Sequence, residues 1–179
     1  HMNAEKIQSP VLYLIVKPSD SESCFHGIMS HRFLGYSTSM DLDHIKKYKQ
    51  ESKARRVRHG IVPELHVRSI IDKKKTIFVS AGGFWPHKAM TPLAEAFTKA
   101  KIPNAELHLY GYGQEQLMPA DTHNVKCFFG RDKTDVLLAI NGADAYIMNS
   151  YEEGFGLVLL EAMMNKTPWY ARDIAGAKD

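Results

Sequence analysis

The segment TIFVSAGGFWPHKAMTPLAEAFTKAK, residues Thr76–Lys101, decides the fold because a glycine-rich link in it joins a strand pattern to a helix pattern. Thr76–Gly83 is a short apolar run that ends in two glycines, which predicts a buried strand. His87–Lys101 has the spacing of a helix, in which Pro92 is tolerable only near the start. Together these elements predict one strand–helix unit of a parallel sheet.

The same unit recurs towards the carboxyl end of the chain. Further strands are predicted over Ala105–Gly113, Asn124–Gly130, Ala143–Ser150 and Thr167–Ala171, and further helices over Lys133–Asn141 and Phe155–Asn165. Strands and helices that alternate with short connections predict an α/β fold with a Rossmann-like, doubly wound parallel sheet. Such sheets bind ligands at the carboxyl ends of their strands, so we expect the functional residues to lie there.

The amino-terminal third is less regular. Val11–Val16 predicts a buried strand, Ser39–Tyr48 a helix, and Arg56–Ile61 a short strand that leads into a second region. The basic stretch Lys46–Gly60 favours a solvated helix and linker, with contact to an anionic membrane surface or a phosphorylated partner as the alternative. His1-Met2 is typical of a tag-cleavage scar and is left out of the fold prediction.

Composition and charge exclude several classes of protein. The 179 residues, 44% hydrophobic and 24% charged, suit one compact domain with an attached piece. The net charge of +3 does not indicate nucleic acid binding. No apolar run approaches the roughly 18 residues of a membrane span, and no signal peptide is recognisable. Cys24 and Cys127 are far apart and lack metal-ligand spacing, so we expect free thiols in a reducing, cytoplasmic compartment.

The first candidate ligand loop is SAGGFWPHKA, Ser80–Ala89. Gly82 and Gly83 would let a ligand approach the backbone closely. Lys88 stands where a helix is predicted to begin, and free amides, the helix dipole and a lysine charge all favour a phosphate there. The alternative is an ordinary strand-to-helix turn with an exposed lysine. The glycine pair in Gly111–Gly113 lacks the third glycine of a dinucleotide fingerprint, so a tight turn is the default there.

The second candidate is EEGFGLVLLEAMMNKTP, Glu152–Pro168, where Glu161 lies in a helix that is apolar on nearly every side. Such a helix is usually buried, and a buried carboxylate needs hydrogen-bond donors. A ribose cis-diol could supply them, and a salt bridge to a buried Arg or Lys is equally open at this point. Gly154 and Gly156 expose amides where the helix begins, which suits a diphosphate or sugar oxygens.

Seven residues separate Glu153 from Glu161, and this spacing resembles the E-x7-E motif of retaining glycosyltransferases of the GT-B fold, particularly glycosyltransferase family 4. The order and spacing of the motifs agree over Lys75–Asp179. The other matching segments are SAGGFWPHKA, which looks like the family's phosphate loop, LHLYGYG and NVKCFFGR, which look like two of its strands, and RRVRHGIVP, Arg55–Pro63, which looks like the entry to its carboxyl-terminal domain.

The resemblance implies a role for each matching residue. Lys88 would contact the donor diphosphate, Glu161 the ribose hydroxyls and Glu153 the transferred sugar, while the base would lie near Phe128–Arg131. Lys88 and Glu153 would be the catalytic residues, and no metal or cofactor is expected. The implied donor-binding residues are Gly82, Gly83, Lys88, Phe129, Gly130, Arg131, Glu153, Gly154, Phe155, Gly156, Leu157 and Glu161.

The resemblance also implies a reaction and a domain plan. A sugar would pass from a nucleotide-diphosphate donor to a hydroxyl of an acceptor glycan, lipid or protein, with retention. Residues 3–54 would be a residual amino-terminal-domain segment and basic linker, and residues 55–179 a Rossmann-like donor-binding domain that is incomplete at its carboxyl end, that is, the truncated carboxyl-terminal half of a GT-B fold. The missing amino-terminal GT-B domain would be a partner, and this chain alone is expected to be inactive.

Three positions depart from the family pattern. The phosphate-loop arginine falls on Gly83, the glycine after the lysine is Ala89, and the family's A-C-G-T-P is Met164–Pro168. Loss of the arginine puts donor affinity in question and keeps other functions open. These are a phosphorylase or sugar-phosphate synthase on the same scaffold, or a non-catalytic module whose Lys46–Arg58 stretch makes weak contact with the cytoplasmic face of a membrane.

Overall fold

The computed structural model describes residues 12–14, 33–36, 39–56 and 74–178. Its strands are β1 (Leu12–Leu14), β2 (Phe33–Tyr36), β3 (Ala54–Arg56), β4 (Thr76–Phe84), β5 (Ala105–Gly113), β6 (Val125–Phe129), β7 (Ala145–Met148) and β8 (Trp169–Ala171). Its α-helices are α1 (Ser39–Lys47), α2 (Met90–Ala100), α3 (Lys133–Gly142), α4 (Leu157–Met164) and α5 (Ala175–Lys178). No helix in these ranges is both long enough and apolar enough to cross a membrane.

The larger sheet has five strands in the order β6-β5-β4-β7-β8, all parallel. This order reverses direction at β4, as in a doubly wound sheet, so the predicted fold class is confirmed. Strands β4 and β5 pair over their whole length, from Thr76↔Ala105 to Phe84↔Gly113. The carboxyl ends of β4 and β7, on either side of the reversal, are therefore the expected position for a ligand.

Each face of this sheet carries its own hydrophobic core. On one face α2 packs through Phe97 against Leu107 and Leu109 of β5. On the other face α4 packs through Leu159 and Ala162 against the neighbouring strands. Alternate residues of a strand point to opposite faces, which is how one sheet supports both layers.

Two predicted boundaries shift at the site itself. The helix predicted from His87 begins at Met90, because Pro86–Lys88 form a 3₁₀ turn and Ala89 takes a left-handed conformation with φ 51°. Pro92 is the third residue of that helix, which fits the predicted position near its start. The glycines predicted to leave β4 and β5 belong to the paired strands instead, so no tight turn occurs at Gly111.

The helix predicted over Phe155–Asn165 is shorter and less buried than expected. It spans Leu157–Met164, and Leu157 and Met163 remain 41% and 45% exposed. The prediction that a helix apolar all round is buried all round is therefore wrong here. One side of α4 packs on the sheet and the other faces solvent within the described part of the chain.

The smaller sheet is parallel and has the order β1-β2-β3. The sequence did not predict β2, and β3 begins two residues before the strand predicted over Arg56–Ile61. Residues 57–61 lie outside the described ranges, as do Val11, the tag residues and Cys24. The helix predicted over Ser39–Tyr48 is present as α1, where Lys46 pairs with Asp43 at 2.9 Å. The proposed division at residues 54 and 55 stays a prediction.

Candidate functional site

The loops that follow β4 and β7 are joined to each other by direct hydrogen bonds. The Tyr151 amide donates to the His87 carbonyl at 2.7 Å, and Asn149 Nδ2 donates to the Ala89 carbonyl at 3.1 Å. These bonds hold the two loops together at the point where the strand order reverses. Side chains from both predicted motifs therefore reach one place.

At that place Lys88 and Glu153 form an ion pair. Their Nζ and Oε1 atoms are 2.5 Å apart, and Ser150 Oγ donates to the same carboxylate oxygen at 3.2 Å. The Lys88 and Glu153 side chains are only 20% and 16% exposed, so solvent screens the pair weakly. The lysine charge is thus available to an anion only in competition with Glu153.

The loop that follows Glu153 leads to the start of α4, where the first backbone amides of the helix lie. The residue that caps the helix, Gly156, is buried in a left-handed conformation with φ 72°, and no side chain caps the first turn. Gly154 and Phe155 precede it in the same loop and are partly buried. Uncapped amides at a helix start suit phosphate or sugar oxygens.

Glu161 forms an ion pair within the protein. Its partner is not a buried Arg or Lys, which was the alternative that the sequence left open. Glu161 Oε1 lies 3.3 Å from Nζ of Lys133, the first residue of α3. Glu161 is 15% exposed whereas Lys133 is 65% exposed. An ion pair with a largely exposed lysine is weak and easily displaced, so it does not exclude a ligand at Glu161.

The loop after β6 brings three further predicted residues near Lys133. Gly130 turns the chain with φ 66°, and its amide donates to the Gly111 carbonyl at 2.8 Å. Phe129 is 39% exposed, and the Arg131 guanidinium lies 5.9 Å from the Phe128 ring. The loop leads into α3, and the pair between Lys133 and Glu161 links the start of α3 to α4.

Gly83 lies directly against the side chain of Trp85 in the loop after β4. A Cβ atom placed on Gly83 would lie 2.1 Å from Nε1 of Trp85. Any side chain at position 83 would therefore displace the indole.

Two supporting residues were not predicted from sequence. Tyr146 is fully buried and its hydroxyl donates to the Ala81 carbonyl at 3.0 Å, while burial, followed by the nearby acidic groups, holds its pKa well above the usual value. Arg172 donates to Asn149 at 3.2 Å and lies 4.5 Å from the Tyr151 ring. Tyr146 fixes β4 to β7, and Arg172 fixes the loop after β7.

No group of three or more His, Cys, Asp or Glu side chains in the described ranges could hold a metal ion. The expectation that the site works without a metal or cofactor stays a prediction.

The family described as glycosyl transferases group 1 matches residues 62–179. The chain belongs to the group 1 glycosyltransferases. The match covers the five-stranded sheet and every loop of the candidate site. No curated protein sequence matches the chain significantly.

Solved structures place this group 1 chain among glycosyltransferases of the GT-B fold. Anabaena Alr3699/HepE in complex with UDP-glucose is similar with a TM-score of 0.76 at 15% identity, over 94% of this chain and 55% of that one. WaaG, a glycosyltransferase involved in lipopolysaccharide biosynthesis, is similar with a TM-score of 0.70 at 19% identity, over 92% of this chain and 57% of that one. The sucrose-phosphate synthase of Thermosynechococcus elongatus is similar with a TM-score of 0.72 at 19% identity, over 93% of this chain and 51% of that one. The chain thus spans about half the length of these structures.

Proposed function

We propose that this chain is the donor-binding part of a retaining glycosyltransferase of family 4. The observation that carries the proposal is the Lys88–Glu153 pair beside the uncapped start of α4. A cation, a carboxylate and the backbone amides at the start of a helix suit the diphosphate and sugar of one ligand. Membership of the group 1 family supports this choice over other anionic ligands.

Lys88 would bind the donor diphosphate once a ligand separates it from Glu153. The freed carboxylate would then accept hydrogen bonds from hydroxyls of the transferred sugar, with the amides of Gly154–Leu157 on phosphate and sugar oxygens. Exchange of one ion pair for these contacts avoids leaving a buried charge without a partner. Both charged groups therefore have a role with and without the donor.

Glu161 would hold the ribose in place of its contact with Lys133. A cis-diol presents two hydroxyl donors to one carboxylate, whereas the exposed lysine makes a single weak contact. The adjacent loop Phe129–Arg131 would lie along the base. The proposal predicts that the base contacts are largely backbone, so the base identity stays open among uracil, guanine and adenine.

The reaction would transfer the sugar to an acceptor hydroxyl of a glycan, lipid or protein, without a metal. The leaving phosphate would help to deprotonate the acceptor while Lys88 and the α4 amides stabilise its growing charge, which is the largest contribution such a site makes. The acceptor groups would come from an amino-terminal GT-B domain, so the chain alone should bind donor without turnover. We place this activity in the cytoplasm.

A sugar-phosphate synthase is the second candidate, because sucrose-phosphate and trehalose-phosphate synthases are among the similar structures. A sugar phosphate as acceptor would separate it from the first proposal, and phosphorolysis in place of donor hydrolysis would indicate a phosphorylase. Liposome binding through Lys46–Arg58 with no binding of any nucleotide sugar would instead support an interaction module.

The test is calorimetry of the chain with UDP-, GDP- and ADP-sugars. Saturable binding of at least one of them that Lys88→Met abolishes supports the proposal. The absence of binding to all three refutes it, as does binding that Lys88→Met leaves unchanged. Transfer of sugar by the chain without any partner would contradict the proposed inactivity of the chain alone.

A further inference from the structure

The indole of Trp85 lies against the backbone of two neighbouring strands. A Cβ on Gly83 would meet its Nε1 at 2.1 Å, and a Cβ on Gly113 would meet its Cζ2 at 2.6 Å. These glycines close the paired ends of β4 and β5, and Gly113 has φ 97°. The ring can lie there because neither Gly83 nor Gly113 has a side chain.

Strand alternation shows which face the ring occupies. A side chain at Gly83 would point to the same face as Ala81 and Val79, which are two and four residues earlier. Both residues belong to the core that contains Leu159 of α4. The indole therefore lies at the carboxyl ends of β4 and β5, on the face of the sheet whose core contains Val79 and Leu159.

The turn around Trp85 fixes the direction of its side chain. Its amide donates to the Gly83 carbonyl at 2.9 Å, and its carbonyl accepts from the Lys88 amide at 2.9 Å. The indole is half-buried, and its N–H has no hydrogen-bond partner among the residues that the structure describes. A tryptophan can only donate, so this group is ready to bind an acceptor on a ligand.

We propose that Trp85 is a donor-contacting residue whose Nε1–H binds a diphosphate oxygen of the nucleotide sugar. This rests on the proposed function of the site. Position 83 carries no side chain, and the indole occupies the space that one would need. The indole is a neutral donor, so its contact is weaker and less salt-dependent than that of a cation.

The chain offers a clean optical test because it contains two tryptophans. Trp169 lies on the edge strand β8 and is 38% exposed, so Trp169→Phe leaves Trp85 as the only tryptophan and also serves as the matched control. Titration of this variant with UDP and with inorganic pyrophosphate should change the Trp85 emission at the same concentrations at which calorimetry detects binding. Unchanged emission at saturation overturns the contact.

A second variant tests the hydrogen bond itself. Trp85→Phe keeps an aromatic ring and removes the N–H, so it should bind UDP more weakly by about tenfold or more, the value of one hydrogen bond to a charged acceptor. Trp169→Phe should bind as the wild type does. Equal UDP affinity in wild type and Trp85→Phe overturns this proposal while leaving the proposed function intact. Failure of the wild type to bind UDP, GDP, ADP or pyrophosphate overturns both.

Discussion

The Lys88–Glu153 pair predicts that one substitution in the binding site raises the affinity for a ligand, whereas such substitutions usually lower it. Glu153→Gln removes the charge that competes for Lys88 while it keeps the size and most hydrogen bonds of the side chain. The nucleoside diphosphate that the wild type binds, written below as UDP, should then bind more tightly, because its diphosphate no longer has to displace a carboxylate. UDP-sugar should gain less, because Glu153 would also lose its charged contact with the sugar.

The magnitude follows from the geometry of the pair. Opposite charges 2.5 Å apart attract by about 7 kcal/mol at an effective dielectric constant of about 20. Desolvation of two side chains that are about four-fifths buried offsets most of this. A net release of about 1–2 kcal/mol corresponds to a gain of about 5- to 30-fold in UDP affinity.

The assay is calorimetry of UDP and UDP-glucose with wild type, Glu153→Gln and Glu152→Gln. Glu152 is the matched control, since it is one residue earlier in the same loop and is exposed. The control should leave both affinities unchanged. Equal or weaker UDP binding by Glu153→Gln would refute the competition between carboxylate and diphosphate, and an equal gain for both ligands would refute the sugar contact.

Two further predictions concern the sheet. Gly111→Ala should destabilise the fold by about 1–3 kcal/mol in urea unfolding, because its Cβ would lie 2.5 Å from the buried Phe84 ring. Gly142→Ala is the control and should not change the free energy of unfolding, because a Cβ there would have no atom within 4 Å. Equal effects of the two substitutions would contradict this prediction. Burial, followed by the charge of Asp121, raises the pKa of the Cys127 thiol from 9.0 to about 11. The rate of Cys127 alkylation in a Cys24→Ser background should therefore rise until about pH 11, and a plateau near pH 9 would contradict this. The contribution of this thiol to the free energy of unfolding should be lost between pH 9 and 11.

The fold could be predicted from sequence because it depends on features that repeat along the chain. Apolar strands and amphipathic helices alternate from Thr76 onwards, and parallel pairing follows from that alternation. β2 was missed because its four residues, FLGY, carry no alternating pattern. The start of α2 was misplaced because the 3₁₀ turn at Pro86–Lys88 continues the helical spacing without continuing the helix.

The site could be predicted only as a set of separate loops. Nothing in the spacing of Lys88 and Glu153, which are 65 residues apart, reveals that they touch. The same holds for Lys133 as the partner of Glu161, since the contact joins two helices. Trp85 belongs to the first candidate loop, but only the tertiary structure shows that its ring fills the space beside Gly83.

The central claim is that the strand ends bind a nucleotide sugar with Glu161 on its ribose, and one thermodynamic cycle tests it most directly. The affinities of UDP and 2′-deoxy-UDP are measured by calorimetry for wild type and Glu161→Ala. The account predicts that wild type prefers UDP by about tenfold or more, as expected for a charged hydrogen bond, and that Glu161→Ala loses this preference. An unchanged preference in Glu161→Ala would contradict the account.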